Sequence, residues 1–116
     1  MVKKIYGNFS QAGTNPPVLL AAYGDPYISL GFAATEGLPA RDTVGDYRFM
    51  VGDELGTGDD VNKTIFCSFG LGSPVRSYVA SVIDTMQISV RTFDKNGYPI
   101  DIATNFSIEL SLNIPE

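Results

Sequence analysis

Phe106-Ser107-Ile108-Glu109-Leu110-Ser111-Leu112-Asn113-Ile114 alternates apolar and polar residues over nine positions without a break. Successive side chains of a β-strand point to opposite faces, so this stretch reads as a strand with one face in a core and the other in water. Upstream, Met86, Ile88 and Val90 alternate with Gln87, Ser89 and Arg91 in the same way. Between the two lies Asp94-Lys95-Asn96-Gly97, whose Asn-Gly pair tolerates positive φ and suits a tight hairpin turn. The return stretch Tyr98-Pro99-Ile100-Asp101-Ile102 contains a proline that cannot donate to a ladder, which predicts a short or edge strand.

Further out the pattern persists. Val18-Leu19-Leu20-Ala21-Ala22-Tyr23 is a continuous apolar run, Ile28, Leu30 and Phe32 alternate, as do Tyr47, Phe49 and Val51, and residues 64–69 form a short β-rich run. The chain carries 12 Gly and 7 Pro, an enrichment that places turns between these segments, with loops at 16–17, 37–39 and 52–62. Residues 73–83 stay open between two forms. Ser73-Pro74 could cap a helix presenting Val75, Tyr78, Val79, Val82 and Ile83 on one face, whereas the β-branched content suits a strand. These segments predict an all-β fold, an antiparallel β-sandwich organised as a small single jelly roll of about eight strands. The length of 116 residues makes 1–116 a single β domain. Within it, residues 1–17 are either an ordered strand or an N-terminal arm that docks on a neighbour.

Composition narrows the chemistry. The chain holds no His, no Trp and one Cys, which removes His-based triads, His metal sites and an intrachain disulfide. Eight basic residues against 13 acidic give a net charge of −5, the wrong balance for a polyanion-binding face, and no nucleic-acid partner is expected. No apolar run approaches a membrane span, so no direct membrane insertion is expected. The start, Met1-Val2-Lys3-Lys4-Ile5-Tyr6-Gly7, lacks a signal-type apolar core, and with the unpaired Cys67 this favours synthesis inside the cell.

The remaining motifs yield no catalytic, cofactor or metal site. The acidic loop 52–62, with Asp53, Glu54, Asp59 and Asp60, concentrates oxygen ligands but lacks EF-hand spacing, and a solvated loop is the better reading. Gly56-Thr57-Gly58 and Gly70-Leu71-Gly72-Ser73-Pro74 complete no phosphate-binding pattern and read as turn glycines. Asp46, Asp84, Asp94 and Asp101 add further carboxylates, none in a recognisable catalytic context. Cys67, in Ile65-Phe66-Cys67-Ser68-Phe69, has no adjacent base or cation and reads as a small buried hydrophobe. Asn8, Asn62 and Asn105 each begin an Asn-x-Ser/Thr triplet, which without a secretion signal is expected by chance. Phe32, Phe49, Phe69 and Phe106 fall at core positions, while Tyr23, Tyr27, Tyr78 and Tyr98 fall near segment ends, where amphipathic rings suit subunit contacts.

The stretch Met86-Gln87-Ile88-Ser89-Val90-Arg91-Thr92-Phe93-Asp94-Lys95-Asn96-Gly97-Tyr98-Pro99-Ile100-Asp101-Ile102, followed by Phe106-Ser107-Ile108-Glu109-Leu110, resembles a known closing segment. It is that of the minor, penton-type single jelly-roll capsid proteins of polinton-like viruses, virophages and related double-jelly-roll viruses. Asp94, Gly97, Ile100, Asp101 and Ile102 fill the turn and return positions, and Phe106, Ile108 and Leu110 the last strand, over about a quarter of the chain. The resemblance implies a non-enzymatic virion protein, a homo-oligomer around a five-fold axis (a pentamer) that touches a major capsid protein. A closed ring needs two different complementary patches on each subunit, expected here around residues 37–46 and 52–62. The alternative from the binding class is a phage tail, fibre, baseplate or adhesin-type module.

Overall fold

The computed structural model of the chain describes residues 2–24, 31–34, 37–51, 62–84 and 86–113. Among them are nine strands and no helix: β1 (Val2–Ser10), β2 (Val18–Gly24), β3 (Phe32–Ala33), β4 (Ala40–Thr43), β5 (Asp46–Val51), β6 (Asn62–Phe69), β7 (Ser77–Asp84), β8 (Gln87–Phe93) and β9 (Phe106–Asn113). They form a four-stranded sheet in the order β2-β1-β9-β6 and a five-stranded sheet in the order β3-β5-β8-β7, with β4 beside β3 on the same edge of β5. Every pairing is antiparallel. The sheets stack so that β2 lies against β3 and β6 against β7. This is the expected antiparallel β-sandwich, with nine strands where about eight were expected. It is jelly-roll-like in pairing its first strand with its last, and it keeps three hairpins, β1–β2, β4–β5 and β7–β8, within single sheets.

The alternations in sequence become faces in space. Phe106, Ile108, Leu110 and Leu112 of β9 are buried while Ser107, Glu109 and Ser111 are half-buried on the other side, and Tyr47, Phe49 and Val51 of β5 are wholly buried. Phe9 sits at the centre of the core, its ring 5.5 Å from Phe32, 4.8 Å from Phe49 and stacked 5.3 Å from Phe106. Gly7 makes this cluster possible, because a Cβ there would lie 2.6 Å from the Phe9 ring and 2.8 Å from that of Phe32. Of the four phenylalanines assigned to the core, Phe32, Phe49 and Phe106 are buried and Phe69 packs half-buried against them.

The two segments left open by sequence are both strands here. Residues 2–10 form β1, flanked by β2 and β9. Residues 77–84 form β7, and Ser73 caps no helix. Its hydroxyl instead donates to the Ile102 carbonyl at 2.9 Å, stitching the turn before β7 to the segment before β9. The Asp94 turn forms with Gly97 at φ +83° and the Asp94 carboxylate accepting from the Asn96 and Tyr98 amides. The return stretch makes only an isolated bridge, Phe93 to Pro99. Pro99 has no N–H to extend the ladder, and Ile102 then turns into the core. The expected alternation at Ile28 and Leu30, and Ile114 at the chain end, lie outside the described residues. So do the acidic loop residues 52–61.

Candidate functional site

The strand registers decide which side chains meet on each outer face. On the four-stranded sheet Tyr6 pairs with Tyr23 on one side and Glu109 on the other, and Glu109 pairs with Phe66. The row Tyr23–Tyr6–Glu109–Phe66 therefore crosses all four strands, about 14 Å from end to end at the usual strand spacing. Its aromatic members are exposed by 59% (Tyr23), 40% (Tyr6) and 58% (Phe66). Lys4 Nζ meets Glu109 Oε1 at 3.1 Å, and that hydrogen bond raises the lysine pKa. The row carries one balanced ion pair among three open rings.

A second row, Ala21–Asn8–Ser107–Ser68, runs beside the first. With Leu20, Gly70 and Asn105 it lines a shallow groove of about 420 Å³, floored partly by Phe9, Phe69 and Phe106. Asn8 and Asn105, which begin two of the Asn-x-Ser triplets, thus come together at one groove. The outer face of the five-stranded sheet is different in kind. Arg48 and Asp42 form a two-point ion pair at 2.6 and 2.9 Å, Asp46 stands opposite Arg91, and Ser81 opposite Ser89. That face is charge-balanced, with the apolar Val79 exposed beside Arg91.

Among the described residues, the one dense polar cluster lies at an end of the sandwich. Asp101 receives Arg41 Nε and Nη2 at 3.0 Å each, the Gly45 amide at 2.9 Å and the Tyr47 hydroxyl at 2.9 Å. Tyr47 in turn accepts the Ile102 amide at 3.0 Å. Partial burial alone would raise the Asp101 pKa, but Arg41, the Gly45 amide and the Tyr47 hydroxyl outweigh it and hold the carboxyl below its usual range. Burial pushes the Tyr47 phenol well above its usual value. A carboxylate with four donors and a depressed pKa is a weak base, and its partner phenol holds its proton. The cluster pins Ile102 and the β4–β5 turn to the end of the core.

The other sequence candidates do not converge on it. Asp46 faces outward from β5, Asp94 caps its turn, and Asp84 ends β7. Asp53, Glu54, Asp59, Asp60 and Tyr27 lie outside the described residues, and among those described no three acidic or Cys side chains gather as a metal site. Cys67 packs half-buried against the core, where burial pushes its thiol up to about 12. Of the expected contact tyrosines, Tyr23 joins the aromatic row and Tyr98 is exposed at its turn. Tyr78 points inward, its hydroxyl accepting the Cys67 amide at 3.1 Å. The loop before β5 is occupied internally, with Leu38 buried and Arg41 and Gly45 held by Asp101. Tyr6 and Phe66 were not singled out by sequence. Period-two reading of β1 and β6 could place each on an outer face, but only the register through β9 joins them.

No known family model matches the chain, and neither does a curated protein or a solved structure. Among the described residues no helix is long and apolar enough to cross a membrane.

Proposed function

We propose that the chain is a non-enzymatic structural subunit of a virus particle, a minor or vertex (penton-type) capsid protein that self-associates and contacts a major capsid protein. The observation that carries this reading is the outer face of the four-stranded sheet, where Tyr6, Tyr23 and Phe66 stand exposed in one row while the opposite face is charge-balanced. Aromatic side chains are the residues most enriched at the energetic centre of protein interfaces. The closing-segment resemblance supplies the class of assembly. Both the virion location and the pentameric, five-fold arrangement belong to this proposal.

The test is binding to the major capsid protein encoded alongside this chain, and presence of the chain in purified particles. Tyr6→Ser with Phe66→Ser should weaken that binding tenfold or more, about 1.4 kcal/mol or above, while leaving the thermal transition in place. Wild-type chain that neither binds the capsid protein nor enters particles contradicts the reading.

One observation favours the alternative of a tail, fibre or adhesin-type binding module. The groove sets two amides, Asn8 and Asn105, and two hydroxyls, Ser68 and Ser107, beside the aromatic row, a combination suited to a neutral sugar. Saturable glycan binding that is lost in Asn8→Ala, together with no capsid-protein binding, would decide for it.

A further inference from the structure

A two-sheet sandwich has four lateral edges, and proteins guard such edges because unpaired N–H and C=O groups invite another chain. Two edges here are guarded. The β3/β4 edge is built from strands of two and four residues with a register shift between Arg41 and Thr43, and it carries Arg41 and Asp42. The β6 edge begins Asn62-Lys63, and the Cys67 amide is already taken by the Tyr78 hydroxyl.

The other two edges each carry one register shift, at Leu20 and at Ile83, but they are longer and almost without charge. β2 (Val18-Leu19-Leu20-Ala21-Ala22-Tyr23-Gly24) has seven residues with no charge and no proline, and Val18, Leu20 and Tyr23 are exposed. β7 has eight residues whose only charge is the terminal Asp84, and Val79, Val82 and Ile83 are exposed. Among the described residues no strand pairs with the outer edge of either. Their positions are complementary. β2 ends one sheet above β3, and β7 ends the other sheet below β6, so the two free edges lie on opposite sides of the sandwich.

We propose that copies of this chain associate head to tail, the β2 side of one copy docking on the β7 side of the next by strand pairing. This rests on the self-association in the proposed function and names its two surfaces. They stand beside the loops 37–46 and 52–62 expected from the sequence as contacts. Two different patches on opposite sides make a heterologous contact, which closes into a ring or extends as a filament. Strands of this length stacked two sheets deep present roughly 25 by 20 Å, so about 1,000 Å² is buried in total, at the threshold of a specific interface.

The ladder alternation picks the test positions. The Thr92 amide donates to Gly45 on the β5 side, so Arg91 and Phe93 turn their polar groups toward β7. Their partners Val79 and Ser77 therefore bond β8, which leaves the amides of Tyr78, Ala80 and Val82 on the free edge. Likewise the Gln11 amide donates to Thr104 on the β9 side, which turns Tyr6 and Asn8 toward β2 and leaves the Ala22 amide free. Ala22→Pro and Ala80→Pro then each remove a free-edge donor without breaking an internal ladder bond.

In analytical ultracentrifugation the wild type should associate, and each proline variant alone should sediment as a monomer. An equimolar mixture should give a 1:1 dimer and nothing larger, because each variant keeps the edge the other lacks. A variant that still dimerises alone, or a mixture that stays monomeric, overturns head-to-tail pairing. Should a variant lose its thermal transition, hydrogen exchange on the wild type decides instead. The Ala22 and Ala80 amides should slow at least tenfold from dilute to concentrated protein, and unchanged exchange overturns the proposal. Association seen here without capsid-protein binding would sink the virion reading alone.

Discussion

Tyr47→Phe is the sharpest probe of how this sandwich is closed at its end. The ring is fully buried and phenylalanine fills the same space, so the substitution deletes only a hydroxyl that joins the Ile102 amide to Asp101. Ile102 is itself fully buried, and its N–H would be left without an acceptor, at a cost of about 1–3 kcal/mol. Asp101 keeps Arg41 and Gly45 and is open enough for water to replace the lost donor, which adds less than about 1 kcal/mol. The expected loss is about 1–4 kcal/mol. At about 2.1 cal/mol/K per residue, a chain of 116 residues has an unfolding entropy near 0.24 kcal/mol/K, so the Tm should fall by about 4–16 °C. Urea unfolding followed by tyrosine fluorescence should show the midpoint lowered at constant slope. A Tm within about 2 °C of wild type would refute the bridging role of this hydroxyl.

Three further outcomes follow from the same geometry. Gly45 sits at φ +66°, and a Cβ there would lie 2.7 Å from the Thr92 carbonyl and 2.9 Å from Ile100 backbone atoms. Gly45→Ala should cost about 3 kcal/mol or more in denaturant unfolding, whereas Gly13→Ala, at φ +58° with open space around it, should cost only about 1 kcal/mol. Because the folded-state pKa of Asp101 is depressed, its stabilisation is fully present above the ordinary aspartate value and is lost as pH falls through the lower folded value. The stability gap between wild type and Asp101→Asn should therefore narrow between about pH 5 and pH 2, and a gap constant across that range contradicts the ion pair's role. With its thiol pushed up to about 12, Cys67 should react with a disulfide reagent at pH 8 on the order of 10³-fold more slowly in the native than in the urea-unfolded chain. Equal rates would place that thiol in water.

Much of the fold was legible because single-strand periodicity is a local property. Residues 47–51, 86–90 and 106–113 each declared one buried face, and each is a strand with that face inward or, for Met86, leads into one. Residues 73–83 were not decidable, since Val75, Tyr78, Val79, Val82 and Ile83 satisfy a helical stripe as readily as an edge strand half open on both faces. The return at 98–102 looked like a strand because its apolar residues alternate. Pro99 and the inward turn at Ile102 ended the pairing after one bridge.

What sequence could not supply was register. Arg41 and Asp101 are 60 residues apart, and nothing near either residue announces the other. The row Tyr23–Tyr6–Glu109–Phe66 draws on four strands and exists only because β1 and β6 both pair with β9 at Glu109. The long uncharged edges depend likewise on strand order, since β2 reads in sequence as a continuous apolar run and becomes an edge only when β1 and β9 take the centre of the sheet.

In the proposed function this chain works as an assembling subunit. Sedimentation equilibrium of the wild-type chain, from dilute solution to its solubility limit, addresses it most directly. An assembling subunit should show a weight-average mass that climbs with concentration well above the 12.5 kDa of one chain. A mass that stays at 12.5 kDa throughout would contradict it.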